Sequence, residues 1–323
     1  MRVLYIAPHL STGGLPQYLY KKIEALKDQA EILVVEYDDI GGDAFVVQKN
    51  RIKASVPLYT LGENKFELLS IVEKFNPDVV HIEEIPEYFM NYELAKQLYH
   101  EQKQFKIIET THDSSFDVNN KIFLPDEFLF VSHYSIEQFK PLGIPAKLAE
   151  YPVMYKNRPN RTIALSKLNL DPSVFHILNV GLFTPRKNQA EIIEYAKNLL
   201  DFNVQFHFVG NQAGNFHHYW GPLMETLPRN CTIWGERSDT DSFYSSMDMF
   251  LFTSKGTVRD KETNPLSLKE ALSWDMDILL YNLPVYVSKY DYVKNMTYLN
   301  TEFDSNLNLI KEKINNFTTR QVL

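Results

Sequence analysis

Short, unbroken apolar runs alternate with helix-period stretches along this chain. Residues 3–7, 32–35, 78–82, 106–110 and 127–132 are apolar at most positions, which predicts strands buried on both faces. Helical patterns lie between them, from the residues after Pro16 to about Lys27, over 66–75 and 88–104, and from Ser132 onward. The alternation restarts after residue 160, with strands predicted at 175–181, 204–210, 231–235, 248–253 and 278–281. Helices are predicted up to about Leu200, over 239–247 and after Asn264. Strands alternating with helices imply parallel sheets covered on both sides. The fold class is therefore α/β, with two doubly wound, Rossmann-like parallel-sheet domains. The proline-bearing stretch 151–160 marks the boundary, near Tyr155, giving domains 1–155 and 156–323. The tail from 303 to 317 carries Leu307, Ile310 and Ile314 on one side and charge on the other, an amphipathic helix with a face to dock.

Composition narrows the class. At 323 residues, with 44% hydrophobic and 13% aromatic residues, the chain is globular and long enough for two cores. The net charge is −8, and nearly all of the acidic excess precedes Tyr155. Nucleic acid, which needs a basic face, is excluded as a partner on this ground, and an anionic membrane surface is disfavoured beyond weak peripheral association. One cysteine, Cys231, allows no disulfide framework and reads as a buried thiol. The first apolar run is too short for a signal peptide and no run approaches a membrane span, so an intracellular, cytoplasmic protein is expected.

The chemistry concentrates after the apolar run 248–253. There a loop carries Glu262 and leads through Asn264 and Pro265 into a helix that includes Leu266, Ser267 and Glu270. Asn264 and Pro265 suit the N-cap and first turn. The unpaired N–H groups of such an end favour phosphate, whereas Glu262 and Glu270 accept hydrogen bonds from hydroxyls. Together they suit a nucleotide sugar. Near the start, Gly13 and Gly14 lie between the first strand and helix. They lack the spacing of a dinucleotide fingerprint and either make a tight turn or border a ligand. Arg186 and Lys187 form either a solvated basic turn or a clamp on diphosphate, since charge-assisted hydrogen bonds are the strong ones. His112, with Asp113 to orient it, either caps a turn or donates to a sugar hydroxyl. His81 reads as a core histidine, and Glu83, Glu84 and Glu87 either as a solvated loop or, lying at a strand end, as a contact for an acceptor. His207, His217 and His218 lack metal-ligand spacing, so no metal site and no cofactor are predicted.

Glu262 and Glu270, with seven residues between them, resemble the paired-glutamate motif of retaining glycosyltransferases of the GT-B fold, and their surroundings look like glycosyltransferase family 4. The resemblance implies two domains facing a cleft, an acceptor-side first domain and a nucleotide-sugar-binding second domain. It implies that Glu262 contacts the donor sugar and that the backbone of Asn264, Pro265, Leu266 and Ser267 holds the diphosphate. Glu270 is implied to bind the ribose, with Lys187 on the diphosphate and His112 near the transferred sugar. The glycine loop at Gly13 and Gly14 matches the family's loop beside donor phosphate and acceptor. The family's arginine directly after a strand-end glycine is replaced here by Leu182, with Arg186 as its substitute. The implied reaction moves a hexose-like sugar from a nucleoside-diphosphate sugar to a hydroxyl on a glycan, lipid or protein, with retention and without metal. A catalytically inactive binding protein, or an epimerase or phosphorylase on the same fold, are the alternatives.

Overall fold

Both alternations fold as parallel sheets. The computed structural model describes residues 1–11, 13–40, 46–150, 153–255, 262–283 and 293–322. The chain divides into two compact units, Met1–Tyr151 with Val258–Asn264, and Pro152–Thr257 with Pro265–Leu323.

The first unit contains β1 (Arg2–Ala7), β2 (Glu31–Glu36), β3 (Leu58–Thr60), β4 (Val79–Ile82), β5 (Lys106–Glu109), β6 (Glu127–Phe130) and β7 (Ala146–Leu148). Their order is β3-β2-β1-β4-β5-β6-β7. The apolar runs are continuous because alternate residues feed opposite layers. Val3, Tyr5 and Ala7 pack with Ile32, Val34, Leu19 and Ile23 on one face, whereas Leu4 and Ile6 pack with Val80, Ile82, Leu68 and Leu94 on the other. Strand order reverses between β1 and β4, the switch point beyond whose carboxyl ends doubly wound sheets bind ligands.

The second unit contains β8 (Phe175–Val180), β9 (Val204–Val209), β10 (Cys231–Gly235), β11 (Met249–Phe252), β12 (Asp277–Tyr281) and β13 (Met296–Leu299), in the order β10-β9-β8-β11-β12-β13. Its switch point lies between β8 and β11. Phe175, Ile177, Phe206, Phe208, Met249 and Leu251 fill one face, and Leu178, Phe250, Phe252, Ile278 and Leu280 fill the other. The terminal helix Phe303–Val322 docks Leu307, Ile310 and Ile314 into the first of these layers.

Departures from the sequence pattern have local causes. The helix predicted over 88–104 is two short helices, Pro86–Phe89 and Tyr92–Leu98. Asn91 separates them, its side chain accepting from Glu93 N–H and Leu94 N–H at 3.0 and 3.2 Å, which starts a new helix. The edge strands β3 and β7 escape a hydrophobic pattern because one is half-buried and the other wholly exposed. Helix Val47–Ser55 escapes it because Ile52 is its one buried residue. Cys231 is half-buried rather than buried, since β10 is an edge strand, and burial pushes its thiol up to about 12.

A histidine relay crosses β8 and β9. Trp234 Nε1–H donates to His207 Nδ1 at 3.1 Å, His207 Nε2 lies 2.9 Å from His176 Nδ1, and His176 Nε2 lies 2.8 Å from Asp171 O. One arrangement satisfies all three contacts: each ring is neutral, with its proton on Nε2. Burial lowers the pKa of both rings, that of His207 to about 3. Between pH 6.5 and 3 the unfolded chain therefore binds a proton at His207 that the folded chain does not. Stability from this group is complete above pH 6.5 and is lost as pH falls, by about 1.4 kcal/mol per pH unit. Urea unfolding at pH 7 and pH 5 is expected to show a smaller acid loss in His207→Gln than in the wild type. Equal losses would show that His207 does not carry this dependence.

Candidate functional site

In the second unit, the switch point is occupied by the loop after β8 and the loop after β11. Gly181 directly follows β8 with φ 159° and Gly210 directly follows β9 with φ 151°. A Cβ at Gly210 would lie 2.1 Å from Gly181 O, so the two strand ends meet backbone to backbone. The stem of Lys187 crosses Gly181, its Cδ and Cε 3.6 Å from where a Cβ would stand, and its Nζ lies 5.0 Å from the centre of the Phe252 ring. Buried Gln189 braces the loop from behind, donating to Leu182 O at 3.0 Å and accepting from Thr184 N–H. Asn188 adopts the left-handed conformation (φ 56°) that starts helix Gln189–Lys197.

The end of β11 ties this loop down. Ser254 Oγ donates to Arg186 O at 3.0 Å, and Thr253 Oγ1 to Asn188 O at 2.9 Å and Lys187 O at 3.2 Å. Three carbonyls that would repel an anion are thereby held by protein, while Arg186 and Lys187 bring positive charge to the same turn. Sequence reasoning overlooked a third cation here. Lys255 pairs with Glu191 Oε2 at 2.7 Å and lies 4.7 Å from the centre of the Tyr281 ring. Glu191 also accepts from Asn188 Nδ2, Tyr195 OH and Tyr281 OH. Burial, the largest single influence, opposes its charge, but Lys255 and the two tyrosines hold its carboxyl below the usual range. The available signal was position, a lysine directly after the strand that borders the switch point.

Glu262 is buried, and residues 256–261 of the loop preceding it lie outside the described residues. The helix that follows is Leu266–Ser273, and Pro265 rather than Asn264 occupies its N-cap position. Proline's fixed φ fits that place, and no side-chain bond caps the end. Glu270 lies one turn into this helix beside the buried Tyr244 hydroxyl, whose pKa is raised first by burial and then by Glu270.

In the first unit, Gly13 is the N-cap of helix Gly14–Leu26, with φ 120°. The preceding loop is held by buried Glu36, which accepts from Leu10 N–H at 2.7 Å and from Thr60 Oγ1 at 2.9 Å, with Lys49 Nζ at 2.7 Å. Beyond β4 and β5 the structure corrects two expectations. Glu83, Glu84 and Glu87 are not a solvated loop. Glu83 and Glu84 are buried, Glu84 accepts from Thr111 Oγ1 at 2.6 Å and from the N–H groups of Ile85 and His112, and Glu87 pairs with Lys121 at 3.0 Å. Nor does Asp113 orient His112. Its carboxylate accepts from Ser115 N–H at 2.6 Å, while His112 Nε2 lies 3.3 Å from Glu83 Oε2. His81 is the core histidine expected, buried and 2.7 Å from Thr110 Oγ1. Thr263 Oγ1 donates to His112 O at 3.0 Å, which brings the segment carrying Glu262 to His112 within this unit.

Among the described residues, no group of three or more His, Cys, Asp and Glu side chains could hold a metal ion, and no helix is long and apolar enough to cross a membrane.

No family model and no curated protein matches the chain. Solved structures do. The structure resembles HepE of Anabaena in complex with UDP and glucose with a TM-score of 0.76 at 15% identity, over 98% of this chain and 92% of that one. A glycosyltransferase of Rickettsia africae matches with a TM-score of 0.68 at 16% identity, over 97% and 87%. The catalytic domain of Arabidopsis thaliana starch synthase IV, bound to ADP and acarbose, matches with 0.65 at 13%, over 98% and 92%. The chain therefore has the GT-B fold of glycosyltransferases, two Rossmann-like units with sheets of seven and six strands.

Proposed function

We propose that this protein transfers a sugar from a nucleoside-diphosphate sugar to an acceptor hydroxyl, with retention of configuration and without a metal ion. The observation that carries the reading is the pair of loops at the switch point of the second unit. Two glycine strand ends in backbone contact, carbonyls tied away by Thr253 and Ser254, and the cations of Arg186 and Lys187 stand together at the sheet's switch point. Such a place suits a diphosphate. Solved structures of the same fold hold UDP, UDP-glucose or ADP, in keeping with a nucleotide donor.

The principal barrier is departure of the diphosphate from an oxocarbenium-like sugar. Lys187, Arg186 and the N–H groups of Leu266 and Ser267 would stabilise the growing negative charge, each well-placed donor contributing about 3 kcal/mol. With cations supplied by side chains, the leaving group needs no bound metal. Glu262 would orient the sugar hydroxyls and Glu270 the ribose. The leaving phosphate itself would take the proton of the incoming hydroxyl.

A thermal-shift panel of UDP-, GDP- and ADP-sugars, with and without magnesium, tests the donor site. Ligand at 100 times its Kd is expected to add about 2.7 kcal/mol of stability. A shift with one nucleotide, unchanged by magnesium and reduced in Glu270→Ala, is the expected result. No shift with any donor would remove the reading. Leu182, where a family arginine is replaced, favours a binding protein without turnover as the second reading; mass detection of a sugar–acceptor product separates the two.

A further inference from the structure

The first unit buries a charged network that the donor site does not use. Glu83, fully buried directly after β4, has Lys22 Nζ 2.6 Å from Oε1 and His112 Nε2 3.3 Å from Oε2, with His81 Nε2 at 3.7 Å. Lys22 comes from helix Gly14–Leu26 and lies 4.6 Å from the centre of the Tyr18 ring, while that ring meets His112 edge-on at 5.2 Å. The group sits at the β1/β4 switch point, where doubly wound sheets bind ligands. A buried ion pair is weak evidence for stability, because apolar residues of like volume hold a core as well or better. Its position next to His112 supplies a reason for it.

We propose that Glu83 is a positioning residue: whenever the His112 ring is neutral, Glu83 fixes it in the tautomer with its proton on Nε2 and so presents Nδ1 as an acceptor for a substrate hydroxyl. Lys22 beside it keeps Glu83 ionised, and an ionised carboxylate only accepts, so the proton between the two groups belongs to the imidazole. Burial alone would favour the neutral acid and is the largest influence on Glu83, but Lys22 and the flanking histidines outweigh it and hold the carboxyl below its usual range. This reverses the direction expected from sequence, in which His112 donates to the sugar. The assignment rests on the sugar-transfer reading for the hydroxyl's identity, but not for the tautomer.

Ring ¹⁵N shifts of the full chain, with His112 assigned by its absence from His112→Ala, test the tautomer directly. The wild type is expected to show an unprotonated Nδ1 at His112 in the neutral ring. Glu83→Gln, and the charge-balanced Lys22→Met/Glu83→Gln pair that leaves no lone buried charge, are expected to show mixed tautomers. In both, kcat is expected to fall about 10- to 100-fold with the donor KM within about threefold. A wild-type ring protonated on Nδ1, or full kcat in both variants, overturns the proposal. If the wild type transfers no sugar, the functional reading fails, while the ¹⁵N result still decides the Glu83 assignment.

Discussion

Lys187→Met is expected to lower sugar transfer about 100- to 1,000-fold while leaving the unfolding midpoint close to that of the wild type. Methionine keeps most of the aliphatic stem that lies across Gly181, so the loop after β8 retains its packing. What disappears is the ammonium next to the carbonyl-tied turn, the group proposed to meet the departing diphosphate. If Lys187 stabilises that charge mainly as it develops, kcat falls more than donor affinity. Steady-state kinetics on a folded variant check this, and kcat within about threefold of the wild type would remove Lys187 from the leaving-group site.

Gly210→Ala is expected to destabilise the second unit by about 3–5 kcal/mol, combining overpacking with a left-handed backbone. The added methyl would stand 2.1 Å from Gly181 O and 2.6 Å from Gly181 C, both backbone atoms at the end of a central strand, so relief requires parting β8 from β9. Gly214→Ala is the control, because a Cβ there meets nothing within 4 Å. Urea unfolding should place the Gly210 variant well below the Gly214 variant. Coincident midpoints would show that the strand ends separate freely, and the pair of loops would then lose its structural basis.

The sheets themselves were legible from the chain. Strands buried on both faces leave unbroken apolar runs, and β1, β8, β9 and β11 all announce themselves in this way. Edge strands do not, because β7 exposes every residue and β3 buries none fully. The cations Arg186 and Lys187 and the glycine before them could be found from strand, glycine and charge in succession. Lys255 escaped notice because what sets it in place is Glu191, far away in sequence and adjacent only in the fold.

The amino-acid sequence by itself determined the α/β class, the double alternation and the succession of strand, glycine and cations after β8, since periodicity and local residue chemistry act within a few positions. Only the tertiary structure decided what each polar group faces. Glu83 follows an apolar strand and reads as solvent-exposed, yet Lys22 from the first helix and His112 from beyond β5 converge on it and make a buried anion tolerable. Asp113 is His112's neighbour in sequence, but its carboxylate accepts from Ser115 N–H in a tight turn, leaving the imidazole to a partner 29 residues away. Pairing of that kind depends on which strand ends the sheet order brings together, and no local pattern records it.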